Sequence, residues 1–308
     1  MLDPLSTTIQ CPEPLLQMAR QSPPIKTAII NAVNGLVLES AREASEAGII
    51  IPVLVGNPSA MRSAAESIGW DIGALQMIDA SGEEAAAAAG AAAAGRGDAD
   101  AIMKGNLHTD VFMRAVLNRD AGLRQGQPLT HVFHLSLPGQ SGSLIMTDCA
   151  LNPAPDFELK KAILQNAVAV AQATGVKRPK VAILSATEVP NKHIPSSMEA
   201  VDLKDWAAGA IADADVDGPL AFDLAVSREA ARIKGVSSPV AGAADIILVP
   251  EITAGNALYK MLVQYAGACA GGLVVGAKVP VLLTSRSDPP AARLASAALA
   301  SILGGKPA

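Results

Sequence analysis

Apolar residues along this chain fall into two kinds of run, and the two alternate. Residues 27–30, 49–55, 76–78 and 101–103 are short and almost continuously apolar, as expected of parallel strands buried on both faces. Between them lie longer stretches with a helical period. These are 36–47, closed by Gly48; 57–69, opened by Asn57-Pro58; and 83–94, rich in alanine and closed by Gly95-Arg96-Gly97. Residues 1–24 read as a helix followed by a Ser22-Pro23-Pro24 break. Such β–α alternation predicts a parallel sheet joined by right-handed crossovers.

The rhythm changes at Gln125. Residues 129–137 and 143–147 read as strands joined only by Pro138-Gly139-Gln140-Ser141-Gly142, too short for a helical crossover, and so predict an antiparallel hairpin. Alternation then resumes, with helices expected at 158–174, 196–208, 223–234 and 255–270 and strands at 180–185 and 245–249. A buried strand at 279–284 and a helix at 290–303 follow. The expected fold class is α/β in two domains, 1–126 plus 276–308 and 127–275, with the strand at 279–284 completing the first.

Composition then narrows the function. Half of the residues are apolar but only 3% are aromatic, so the core must be built from Ala, Val, Leu and Ile. A net charge of −5, without a basic block or aromatics to stack bases, argues against nucleic-acid binding. No run approaches the ~18 uninterrupted apolar residues of a membrane span, and MLDPLSTTIQCPEP has no signal-peptide character. Cys11, Cys149 and Cys269 are odd in number and scattered, as in a cytoplasmic protein with reduced thiols. Neither they nor His108, His131, His134 and His193 show metal-ligand spacing, since His131 and His134 would face opposite sides of a strand. No metal is expected.

The most informative stretch is 100–117, DAIMKGNLHTDVFMRAVL. An apolar strand end is broken by Lys104-Gly105, and Thr109 or Asp110 is placed to cap the helix that follows. Ligands of open α/β sheets sit beyond the carboxyl ends of strands, where helix N-termini offer N–H groups to anions. Here that loop carries Lys104, Asn106, His108 and Thr109, with Arg114 one turn into the helix. Two cations and an imidazole suit an anion site; a solvated turn is the plainer reading.

Four further constellations stand out: Thr147-Asp148 at a strand end; Asp217 to Asp223 as a tight turn into a helix capped by Asp223; Gly255-Asn256 with Tyr259-Lys260; and Thr284-Ser285-Arg286-Ser287-Asp288. Each alone also reads as ordinary turn and capping chemistry. The last supplies a hydroxyl, a phosphate fork and a base beyond a strand. There is no G-x-S-x-G elbow, Walker loop or G-x-G-x-x-G fingerprint.

In this order, the constellations resemble the phosphate acetyltransferase/phosphate butyryltransferase family. The resemblance is carried by Met103-Lys104-Gly105 with His108-Thr109 and Arg114, by Thr130-His131-Val132-Phe133, and by Thr147-Asp148 with Ala150-Leu151-Asn152. It continues through residues 179–185 and 217–223, Val240-Ala241-Gly242, Ala244-Asp245, Ala254-Gly255-Asn256 with Tyr259-Lys260, and Thr284-Ser285-Arg286 with Asp288. It spans about residues 26 to 301 and is nearest the branch sometimes fused to an enoyl-CoA hydratase domain.

The resemblance implies two α/β/α domains of the isocitrate/isopropylmalate dehydrogenase-like type, an active site in the cleft between them, and a homodimer. It implies the reaction acyl-CoA + phosphate ⇌ acyl phosphate + CoA, by direct transfer in a ternary complex, with coenzyme A as substrate and no permanently bound cofactor. Ser285 matches the family serine that hydrogen-bonds the thiol. Arg286 and Arg114 match the arginines that hold phosphate and stabilise the oxyanion. Lys104, His108, Thr109, Asn256 and Lys260 fall to substrate binding. The acetyltransferase branch places its acid seven residues after the serine; here that position is Ala292, and the nearest acid, Asp288, takes the role of base. Unassisted thiolate attack is the alternative.

Three other readings compete. A decarboxylating dehydrogenase of the same fold would need clustered acids for a metal, and Asp213, Asp215 and Asp217 lie in an apparent loop. A periplasmic-type binding protein would need export. A non-catalytic module that senses acyl-CoA would not need Ser285, Arg286 and Arg114.

Overall fold

A computed structural model describes residues 9–283 and 288–305. The described chain opens with α1 (Glu13–Ala19) and then alternates: β1 (Ile25–Ile30), α2 (Gly35–Glu46), β2 (Ile50–Gly56), α3 (Pro58–Ser67), β3 (Gln76–Asp79), α4 (Glu83–Arg96), β4 (Ala101–Lys104) and α5 (Thr109–Leu117). It continues with β5 (Thr130–Ser136), β6 (Ser143–Thr147), α6 (Phe157–Ala173), β7 (Lys180–Leu184), α7 (Pro195–Ala210) and β8 (Asp215–Leu220). Then come α8 (Phe222–Val226), α9 (Arg228–Ile233), β9 (Ile246–Leu248), α10 (Ile252–Ala266), β10 (Cys269–Val275), β11 (Val281–Leu282) and α11 (Pro290–Gly304).

Contacts divide the chain into two compact units. One comprises Ile9–Gln127 with the described part of Gly271–Ala308, and the other Pro128–Ala270. In the first the strand order is β3-β2-β1-β4-β11-β10. All neighbours are parallel except β10 and β11. Ile29, Ile30, Leu54 and Ile102 are wholly buried, as the unbroken apolar runs require. Asn34 and Asn57 cap α2 and α3, each side chain accepting an N–H of the first turn. In the second unit the order is β5-β6-β9-β7-β8, and only the hairpin β5–β6 is antiparallel.

Several expectations are corrected. The helix expected at 255–270 is shorter: α10 ends at Ala266, Gly267 takes φ 68° as its left-handed cap, and Cys269 onward is strand. Gly271 of β10 is a packing residue, because a methyl there would meet Leu299 and Ala295 of α11. The Asp217 region is not a turn but β8, in parallel register with β7. Asp223 is not the cap residue, although its Oδ1 accepts from the Leu224 N–H at 2.9 Å. Ala221 holds the cap position of α8, while Asp223 pairs with Lys234 at 3.1 Å. The helix expected at 223–234 is two short ones, the second capped by Ser227.

The three alternate acids are each engaged elsewhere. Asp213 accepts from Gln172, and Asp215 and Asp217 pair with Arg178 and Lys204, both at 2.8 Å. Burial works against the Asp217 charge, but hydrogen bonds from Lys204, Ser238 and the Gly218 N–H outweigh it and hold the carboxyl below its usual range. Among the described residues no three His, Cys, Asp or Glu side chains come close enough to hold a metal ion.

Candidate active site

The loop from β4 to α5 is built by close contact with the loop after β1. Asn31, at φ 53°, sits at the carboxyl end of β1 and is buried. Its Nδ2 donates to the carbonyl of Asn106 at 2.6 Å, and the Asn106 N–H donates to the Asn31 carbonyl at 3.1 Å. Gly105 lies between them, where an added Cβ would stand 2.1 Å from the Ile30 carbonyl oxygen, so a side chain is excluded. Lys104 is buried at the strand end. The loop that the sequence marks as polar is therefore fastened to the sheet, not free in solvent.

The expected cap is different in kind. Neither Thr109 nor Asp110 caps α5; His108 occupies the cap position, and its side chain bonds no first-turn N–H group. Glu83, the first residue of α4, instead accepts from the His108 N–H and meets its Nδ1, both at 2.8 Å. Thr109 and Arg114 are exposed, and Arg114 makes an i,i+4 pair with Asp110 at 3.5 Å. Lys104, His108, Thr109 and Arg114 thus share one strand–loop–helix segment. An uncapped helix N-terminus beside cations is competent to hold an anion.

In the second unit, the buried Asp148 organises the end of β6. Its carboxylate accepts from the N–H groups of His131, Ala150 and Leu151 and from Asn152 Nδ2. Burial drives the His131 imidazole down to about 4, with Asp148 partly opposing, so the ring is neutral at pH 7. Phe133 sits between His131 and Tyr259, with ring centroids 4.3 and 4.1 Å away. Helix α10 comes down on this segment at Gly255, whose missing side chain leaves room for Cys149 Sγ and Val249. Asn256 Nδ2 donates to the Cys149 carbonyl at 3.2 Å, and Lys260 is exposed one turn on. Glu251 caps α10, and the Thr253 and Ala254 N–H groups hold its carboxyl below the usual range.

Ser285 and Arg286 lie outside the described residues. Asp288 lies just before Pro289, the cap residue of α11. Ala292, where an acid was sought, is buried against the core. Sequence reasoning passed over Asn31, Glu83 and Arg293. Arg293 carried a usable signal, because a cation stands there on an otherwise small-residue helix face with Ser296, Ala297 and Ala300.

Comparison with known proteins identifies the family. Residues 84–301 match the family model described as phosphate acetyl/butaryl transferase. The chain is 42% identical to a phosphate acetyltransferase of Rhizobium meliloti, over 94% of this chain and 92% of that protein. It is 40% identical to a phosphate butyryltransferase of Clostridium acetobutylicum, over 91% and 93%. Its fold follows the crystal structure of a branched-chain phosphotransacylase from Enterococcus faecalis V583, with TM-score 0.80 and 32% identity over 91% of this chain and 99% of that one. The chain belongs to the phosphate acetyl/butyryl transferase family.

Proposed function

We propose that this protein is a phosphate acyltransferase that interconverts acyl-CoA plus phosphate with acyl phosphate plus CoA. The observation that carries the reading is end-to-end similarity, at about the same identity, to relatives named for acetyl and for butyryl transfer. In the forward direction a phosphate oxygen attacks the thioester carbonyl, the C–S bond breaks, and the sulfur leaves as a thiolate that takes up a proton. Arg114 and Arg286 hold the phosphate and the oxyanion, Ser285 hydrogen-bonds the sulfur, and Asp288 exchanges the proton. Lys104, His108 and Thr109 take up anionic groups at the α5 N-terminus, and Asn256 and Lys260 contact the substrate from α10. Retention of these residues favours catalysis over acyl-CoA sensing alone.

Coenzyme A enters as a substrate, and no resident cofactor is part of the scheme. A cytoplasmic setting is supported by Cys149 and Cys269, buried thiols that form no disulfide. A homodimer is supported by α10, where Gly255 alone is fully buried while Met261 and Tyr265 are 62% and 47% exposed. Phosphate-dependent release of free thiol from acetyl-, propionyl- and butyryl-CoA tests the activity and ranks the acyl chains. Acyl-CoA binding without thiol release from any of them would replace the enzyme reading with the sensing one.

A further inference from the structure

Arg293 is a cation in a place that ordinarily rejects one. It is the fourth residue of α11 and only 7% exposed. A guanidinium keeps its proton in any protein environment, so burial cannot neutralise it. The N-terminal turn of a helix also carries the positive end of the helix dipole. No salt bridge joins Arg293 among the described residues, and its buried Nε has no hydrogen-bond partner there. One contact accounts for its direction: Nη1 donates to the main-chain carbonyl of Asp288 at 2.5 Å, just ahead of the helix.

Helix stability does not explain the residue. Ser296, Ala297 and Ala300 already fill the same face, and an apolar side chain of similar volume often replaces a buried charge at no loss of stability. What an apolar residue cannot do is hold the Asp288 carbonyl. Asp288 is two residues beyond Arg286 and three beyond Ser285.

Resting on the acyl-transfer reading above, we propose that Arg293 is a positioning residue for that reaction. From within α11 it fixes the main chain at Asp288, and with it the acid that exchanges the proton. It does not touch the substrate.

The test compares Arg293→Met and Arg293→Lys with wild type, following thiol release at varied acyl-CoA and phosphate alongside thermal melting. Arg293→Met is expected to melt at or above the wild-type temperature, yet to lose roughly ten- to a hundredfold in kcat with KM for acyl-CoA nearly unchanged. Arg293→Lys, which can still donate to the carbonyl, is expected to recover part of that kcat. A Met variant that turns over like wild type overturns the proposal. So does one that fails to fold, or a Lys variant that folds but recovers nothing, since the residue would then be structural. A wild-type protein with no phosphate-dependent thiol release fails at the reading itself, before Arg293 is in question.

Discussion

Asn31 and Asn106 hold each other in both directions, side chain to main chain one way and main chain to main chain the other. The pair joins the exits of neighbouring parallel strands, β1 and β4, and so fixes the loop that carries Lys104, His108 and Thr109. Asn31→Gly keeps the left-handed backbone and removes only the side-chain bond, at about 1 kcal/mol. Asn31→Val adds the left-handed penalty of a branched residue, about 1–2 kcal/mol more. Chemical denaturation should rank the two variants in that order, and both should raise KM for phosphate by loosening the loop. Equal stabilities would show that φ 53° imposes nothing there.

Acid should weaken the fold before most carboxylates titrate. Burial holds His131 and His134 neutral, with their pKa lowered from 6.5 to about 4. The unfolded chain therefore takes up protons first, and stability that is complete above pH 6.5 is lost as pH falls through 4. The loss is on the order of 3 kcal/mol for each ring across that window. Melting temperature followed from pH 7 to pH 5 should fall, and His134→Gln should flatten the slope. A wild-type profile level down to pH 5 would contradict the assignment of neutral, buried rings.

Arg114 separates binding from folding. Its guanidinium is 68% exposed and paired only across one helical turn with Asp110, a contact worth little to stability. Arg114→Ala should melt like wild type while KM for phosphate rises and turnover drops, roughly ten- to a hundredfold in kcat/KM. Wild-type kinetics would remove Arg114 from the site.

Asp288 and Ser285 should differ in their dependence on pH. In the direction that consumes acyl phosphate and CoA, Asp288 accepts the thiol proton and is worth the ~10²–10⁴ of a general base, and the deficit of Asp288→Asn measured in that direction should shrink as pH approaches the ~8.5 of a free thiol. Ser285→Ala removes one hydrogen bond to sulfur and should slow turnover at every pH by about 1–3 kcal/mol. A deficit in Asp288→Asn that does not vary with pH would reduce Asp288 to a turn residue ahead of α11.

Periodicity made most of the framework legible. The runs ending near Ile30, Val55 and Met103 became β1, β2 and β4 because a strand buried on both faces tolerates no polar interruption. The hairpin β5–β6 was visible in a loop too short to cross over. Pattern reading failed where small or charged residues do unusual work. Gly271-Gly272 carries no signal in the sequence but is strand, and the missing side chain of Gly271 admits α11. Asp215 and Asp217 read as loop because their neutralising partners, Arg178 and Lys204, are distant in sequence. At the site, Lys104 through Arg114 could be placed on one segment from local order alone. The Glu83–His108 and Asn31–Asn106 contacts could not, because each joins residues brought together only by the sheet.

The late arrival of β11 beside β4 has a consequence for how the protein is made. Ile102 and Met103 lie opposite Val281 and Leu282, so one flank of β4 stays open while the whole of Pro128–Ala270 leaves the ribosome. That intervening stretch is continuous and can finish folding first, at a synthesis rate of roughly 5–20 residues per second. For those seconds the nascent chain exposes an apolar parallel edge, the kind of surface on which unfinished chains pair with one another.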